Sequence, residues 1–162
     1  MPAVKTQGTE LFILDPATDD VLKVDCITVV TGLSGTRSQI DVSCLEDIAD
    51  AFEGGRIQPG TVTVGLNVDP QNPSHIRLHQ LYVEGTKFDF ALGWGDFTPP
   101  PPAAGPVPTA DTAGNLNLPG GRSWLAGEAY VSDFPFDFNA NDVVRSSLTL
   151  QLSGLANLVP AA

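Results

Sequence analysis

The feature that most constrains this chain is a change of hydrophobic period inside one stretch, Gln39 to Gly55, QIDVSCLEDIADAFEGG. Ile40, Val42 and Cys44 alternate with Gln39, Asp41 and Ser43, the pattern of a half-buried strand. Leu45, Ile48, Ala49 and Phe52 then fall at i, i+3, i+4 and i+7, one face of a helix. Ser43 and Glu46 have capping-box spacing, and Glu46 and Asp47 place negative charge in the first turn. Gly54 and Gly55 offer a left-handed C-cap. A helix this short is marginal alone, so the stretch predicts a strand running into a capped helix that lies on a β core.

The rest of the chain supplies that core. Glu10–Leu14 reads as a strand closed by the turn cluster DPATDD. Val21–Val30 reads as one longer strand, with Leu22, Val24, Cys26, Thr28 and Val30 on one face and Val21, Lys23, Asp25, Ile27 and Val29 on the other. TGLSGTR is a loop, and Ser38–Ser43 returns beside that strand. Thr61–Val68 alternates with Val62, Val64, Leu66 and Val68 inward. Asn72-Pro73 looks like an N-cap followed by proline at N1, opening a short second helix that turns Ile76, Leu78, Leu81 and Tyr82 inward and ends near Gly85. Lys87–Trp94, Trp124–Asp133 and Val143–Ser153 complete the strands. In the last, Leu148, Leu150 and Leu152 point inward and Ser147, Thr149 and Gln151 outward. Six or so strands with one firm helix predict a mainly β fold, an antiparallel sandwich or partly closed barrel with a flanking α-helix.

Length points to one domain, residues 1–162. Residues 1–8 lack periodicity and read as a flexible arm, and 154–162 as a short apolar tail. Residues 97–121 hold seven of the fourteen prolines, including the run Pro99 to Pro102, and read as a surface insertion with a polyproline II path. No signal peptide and no membrane-spanning run is expected, since no apolar stretch approaches about 18 residues. The default is a soluble protein of a reducing cytoplasm. The net charge of −11 argues against gripping nucleic acid through phosphates.

No chemistry emerges from the spacing. His75 and His79 stand at i and i+4 but lack a third ligand and a glutamate between them; two exposed helix histidines are the plainer reading. Asp15, Asp19 and Asp20 lack the spacing of a calcium loop and read as turn residues. Cys26 and Cys44 come out as diagonal neighbours, about 7 Å or more apart at Cα, a poor placement for a disulfide, so both are expected to be reduced and buried. There is no nucleophile elbow or phosphate loop. No cofactor, metal or enzymatic activity is expected.

The order of features is more specific than any motif. A strand ending in IDVSCLED, a capped helix, GTVTVGLNVDPQNP, a weak helix, KFDFALGWG, then AYVSDFPFDF and SSLTLQLSG resembles the tail tube (major tail) proteins of long, non-contractile-tailed bacteriophages, from Thr9 to Leu155. The resemblance implies hexameric rings stacked into a hollow tube around a tape measure protein, with tail terminator and tail tip proteins at the ends and DNA passing later without specific binding. It implies a location in the virion tail after assembly in the host cytoplasm. Six copies would carry −66 per ring, from −11 each. Family members often carry a long excursion in the hairpin before the strand–helix join, contacting the next ring. Here that loop, Thr31–Arg37, is short and the long excursion is Phe97–Gly121. On this resemblance Lys23, Asp25, Asp41, Ser147, Thr149 and Gln151 are expected to face the lumen. Val21, Ile27, Val29 and Pro99, Pro100, Pro101 and Pro102 are expected at subunit or ring contacts. A contractile injection or secretion tube shares the architecture. A β-sandwich module presenting its proline run to an aromatic groove is the reading from another class.

Overall fold

The structure is a computed structural model and describes residues 3–162. Five strands expected from the sequence form, two of them, Glu10–Leu14 and Phe88–Gly93, buried on both faces. These are β1 Glu10–Leu14, β6 Thr61–Asn67, β7 Phe88–Gly93, β10 Trp124–Asp133 and β11 Arg145–Leu152. With β2 Val21–Val24, β3 Ile27–Gly32 and β12 Asn157–Val159 they form an eight-stranded antiparallel sheet. Its order is β2-β1-β7-β10-β11-β6-β3, with β12 paired to β10. Leu11, Ile13, Val62, Val64, Leu66, Phe88, Phe90, Leu148, Leu150 and Leu152 share one buried cluster. Strands from both ends of the sheet therefore face the same core, and the sheet wraps around it. The end strands β2 and β3 are not paired with each other, so the barrel stays open.

The single helix among the described residues is α1, Pro73–Glu84. The Asn72 side chain accepts from the Ser74 amide at 2.9 Å and from the Ser74 hydroxyl at 2.7 Å. Pro73 opens the helix, and Gly85, at φ 68°, closes it by donating to the Leu81 carbonyl. Leu78 and Leu81 seal the core, but Ile76 and Tyr82, expected inward, are exposed. His75 is buried, contrary to expectation. Its Nδ1 accepts from the Asp69 amide and its Nε2 meets the Asp25 carbonyl at 2.8 Å. His79 packs edge-on to Phe134 and beside Phe136.

Asp15, in the turn after β1, grips this helix. Arg77 donates to both its carboxylate oxygens, at 2.7 and 2.8 Å. The Arg77 hydrogen bonds hold the Asp15 carboxyl below its ordinary value, against an opposing push from burial. A depressed folded pKa means the stabilisation is complete above the unfolded carboxylate value, near pH 4, and is lost as pH falls through the folded one. Asp15→Asn should cost about 2 kcal/mol at neutral pH. The cost should shrink in acid, as denaturant melts at pH 7 and pH 3 will show; an equal cost at both would contradict it.

The Gln39–Gly55 stretch is not a strand running into a helix. β4 Gly35–Asp41 pairs with β5 Phe52–Pro59, and residues 42–51 form the irregular tip of that ribbon. Ser43 and Glu46 cap nothing. The Ser43 hydroxyl accepts from the Ala51 amide across the loop at 2.8 Å, and Asp47 closes a turn by accepting from the Cys44 amide at 2.6 Å. Leu45 and Ile48, expected on the core face of the helix, are fully exposed.

Two further expectations fail with it. Val21–Val30 is broken at Asp25–Cys26, where Cys26 adopts φ 57°. β2 and β3 then diverge to opposite ends of the sheet. Ser38–Asp41 pairs with β5, not with residues 21–30, so Cys26 and Cys44 are not neighbours in that register. Both are free and exposed, not buried.

Because β3 pairs directly with β6, everything between them is an excursion from one hairpin. The short loop and the strand-and-helix stretch are thus a single long projection, Leu33 to Gly60. Two bent residues set its departure, Gly32 at φ 100° and Leu33 at φ 65°.

Candidate functional site

The sheet has a second face, and the chain covers only half of it. On the β1–β7–β10 half, Phe12, Ala91 and Trp124 form a second buried cluster with Leu116 and Leu118 of the 97–121 segment. That segment carries a small hairpin, β8 Thr109–Ala110 with β9 Leu116–Asn117. Its proline run turns at Pro100–Ala103 and does not continue as a polyproline II rod. Pro99, Pro100 and Pro102 are exposed; Pro101 lies against Gly8.

The β11–β6–β3 half is left open. There Thr149 stands opposite Thr63, and Thr63 opposite Thr31. Gln151 stands opposite Thr61, and Ser147 opposite Gly65. None of these side chains is buried. The alternation that sends Val62, Val64, Leu148 and Leu150 inward sends these hydroxyls and one amide outward. The result is a polar, mostly hydroxylated wall with Val29 among its side chains and charge at its margins, where Arg145 opens β11 on the same face and Asp133 stands opposite Thr149. Ser147, Thr149 and Gln151 were singled out from the sequence. Thr61 and Thr63 also line it, as the TVTV alternation of residues 61–64 signals, while Thr31, after Val29-Val30, carries no such signal.

The other expected lumen residues are not gathered here. Lys23 shares this face but sits four strands from β11, ion-paired to Glu10 at 2.7 Å. Asp25 is half-buried at the β2–β3 break and accepts from the Asn72 amide group at 2.9 Å. Asp41 ends β4 on the projection and accepts from the Ser43 amide, whose hydrogen bonds hold its carboxyl below the ordinary value. At the border of the open wall Glu128 and Asp89 face each other across β10 and β7. Burial and the Glu128 charge push the Asp89 carboxyl up. Of the expected contact residues, Val21 packs against the Phe12–Trp124 cluster, Ile27 packs against the main core, and Val29 is exposed.

The ribbon β4–β5 has no core of its own. Nearly every residue in it is exposed, Ile40 and Phe52 among them. A two-stranded hairpin is marginal in water by itself, and an exposed apolar projection marks a surface meant to be covered.

A wrapped sheet with one flanking helix, one open polar face and a bare ribbon is a fold with counterparts in solved structures. The SPP1 tail tube shares it at TM-score 0.66 and 12% identity, covering 96% of this chain and 79% of that one. So does the tail of an empty gene transfer agent particle refined with C6 symmetry, at TM-score 0.66 and 12% identity over 99% of this chain and 100% of that one. An extracellular contractile injection system, PVC, contains the same fold in its sheath–tube complex, at TM-score 0.64 and 14% identity over 98% of this chain and 93% of that one. Sequence narrows the class. The family model for the lambda-like phage tail tube matches residues 2–162. "Structural protein 3" of Pseudomonas phage PAJU2 is 40% identical over 159 residues, 97% of this chain and 94% of that protein. The chain belongs to the lambda-like phage tail tube family.

Proposed function

We propose that six copies of this chain close into a ring and that rings stack into the hollow tube of a non-contractile phage tail. The open wall of Thr31, Thr61, Thr63, Ser147, Thr149 and Gln151 then lines the channel. The observation that carries this reading is the division of the outer sheet face. One half is sealed by the chain's own insertion, and the other is left bare yet mostly hydroxylated, with charge only at its margins, Arg145 and Asp133. A solvated channel that must release whatever slides through it needs such a surface. The hydroxyls and amide at its centre offer no charge for phosphates to pair with, the marginal Arg145 is ion-paired to Asp142 at 3.0 Å, and the net charge of −11 per copy repels DNA at longer range.

The chain's role is structural and non-catalytic, and its place is the virion. A tape measure protein occupies the channel before DNA does, and terminator and tip proteins close its ends. The fold is shared with contractile injection tubes, but the family match and the 40% identical phage protein favour the phage tail.

The experiment is negative-stain microscopy and sedimentation of the purified chain over a concentration series. Rings or tubes of uniform width are expected. A strict monomer at high concentration, in buffers that assemble related tubes, would count against the reading.

A further inference from the structure

At the border between the sealed and the open halves of the sheet face lies a cavity of 460 Å³ with carboxylates from three elements in its walls. Asp89 of β7 and Glu128 of β10 are direct cross-strand partners, which sets their Cβ atoms roughly 5 Å apart on one face. Asp19, in the turn between β1 and β2, stands beside them, and Lys87, just before β7, is the one cation in the lining. Among the described residues none of these four side chains forms an ion pair. Like charges set directly opposite on neighbouring strands destabilise a sheet.

The roof of the cavity is the tip of the 97–121 insertion, Thr112, Ala113 and Gly114. This tip is a backbone turn. The Asp111 carboxylate accepts from the Ala113 and Asn115 amides at 2.8 and 2.9 Å, and Gly114 sits at φ 77°. None of the three roof residues is buried, and the insertion's anchors, Leu116 and Leu118, lie beyond them. Gly114 comes so close to Asp19 that a Cβ there would stand 3.4 Å from Oδ1. The roof thus covers charge without a buried apolar side chain of its own to hold it down.

We propose that Asp89 and Glu128 form a proton-operated latch for the insertion tip. With one proton shared between the two carboxylates the tip closes over the cavity; with both ionised it lifts and admits water. The two events are linked. A cover that makes a carboxylate harder to ionise must itself be pushed off when that carboxylate ionises. Burial and the Glu128 charge push the Asp89 carboxyl up. A raised folded pKa means the closed tip is fully stabilised below the ordinary aspartate value, near 4, and loses that stabilisation as pH rises through the folded one. Of the other groups facing the pair, Asp19 adds to the repulsion and Lys87 offsets it, while Asp111 is occupied by its turn amides. The latch belongs to the single chain and does not depend on the tube.

Hydrogen exchange of the full chain, read on peptides covering residues 109–117, tests it. Asp89→Asn and Glu128→Gln each remove one charge and keep the shape. At pH 7 both variants should exchange there roughly two- to fivefold more slowly than the wild type, the range expected from relieving one cross-strand repulsion. At pH 3 all three should exchange alike. Lys87→Met, which removes the offsetting cation, should speed exchange at pH 7. Equal exchange of the wild type and either carboxylate variant at pH 7, or a difference that persists at pH 3, would overturn the latch. Slower or unchanged exchange in Lys87→Met would overturn it too, since the effect would then follow packing and not charge.

Discussion

Arg122→Ala should be among the most destabilising single substitutions in this chain, by about 3–5 kcal/mol, the usual cost of removing one partner from a buried charge network. Arg122 is fully buried. Its Nε donates to the Trp94 carbonyl at 2.9 Å, Nη2 to the Gly8 carbonyl at 2.9 Å, and Nη1 to Glu10 at 2.9 Å and the Pro106 carbonyl at 3.3 Å. Its guanidinium lies 4.8 Å from the centre of the Phe97 ring and 5.0 Å from that of Trp124. One side chain thus ties the arm, β1, β7 and the 97–121 insertion together. Burial pushes the Glu10 carboxyl up, but Lys23 and Arg122 outweigh it and hold it below its ordinary value. Without the guanidinium that carboxylate loses its buried partner. Lysine cannot repair the loss, since one ammonium cannot reproduce the planar fork or the stacking. A urea melt and limited proteolysis read the outcome, with cleavage expected first within residues 97–121. An unchanged midpoint would mean the insertion is held by other contacts.

The second large effect is expected in function, with stability unchanged. Thr63→Arg with Thr149→Arg places two cations side by side on the open wall, since these residues are cross-strand partners. In a six-fold ring, the symmetry refined for the gene transfer agent tail, that adds twelve positive charges per ring. Both positions are solvent-facing and take part in no core contact, so tubes should still form. Passage of DNA should slow by at least about tenfold at moderate salt and recover as salt rises, because each phosphate contact releases counterions. Normal infectivity with intact tails would remove these threonines from the channel.

How much of this was legible in the sequence follows from where each side chain finds its partner. Val62, Val64, Leu66, Leu148, Leu150 and Leu152 bury against their own chain, so their alternation marked β6 and β11 correctly, and with it the polar wall on the reverse. Asn72-Pro73 and Gly85 marked α1 because caps act within one turn of backbone. Leu45, Ile48 and Phe52 mislead because helical spacing implies an intrachain core that these residues do not have. They sit on a ribbon. A period test cannot distinguish a helix face from apolar side chains left exposed on a ribbon. The break at Asp25–Cys26 was hidden for a different reason. The left-handed turn there is held by Asn72 and His75, 47 and 50 residues away, and no local pattern reports such partners. Arg122 left no signal either, as a lone arginine after two glycines reads as loop.

The most direct test of the central claim is a side-chain-resolution cryo-EM map of tubes assembled from this chain. In such a map β11, β6 and β3 are expected to line the channel with Thr31, Thr63 and Thr149 in one row. α1 and the 97–121 insertion are expected away from the lumen. A map with α1 or the insertion against the channel, or with the Thr31–Thr63–Thr149 row buried between subunits, would contradict it.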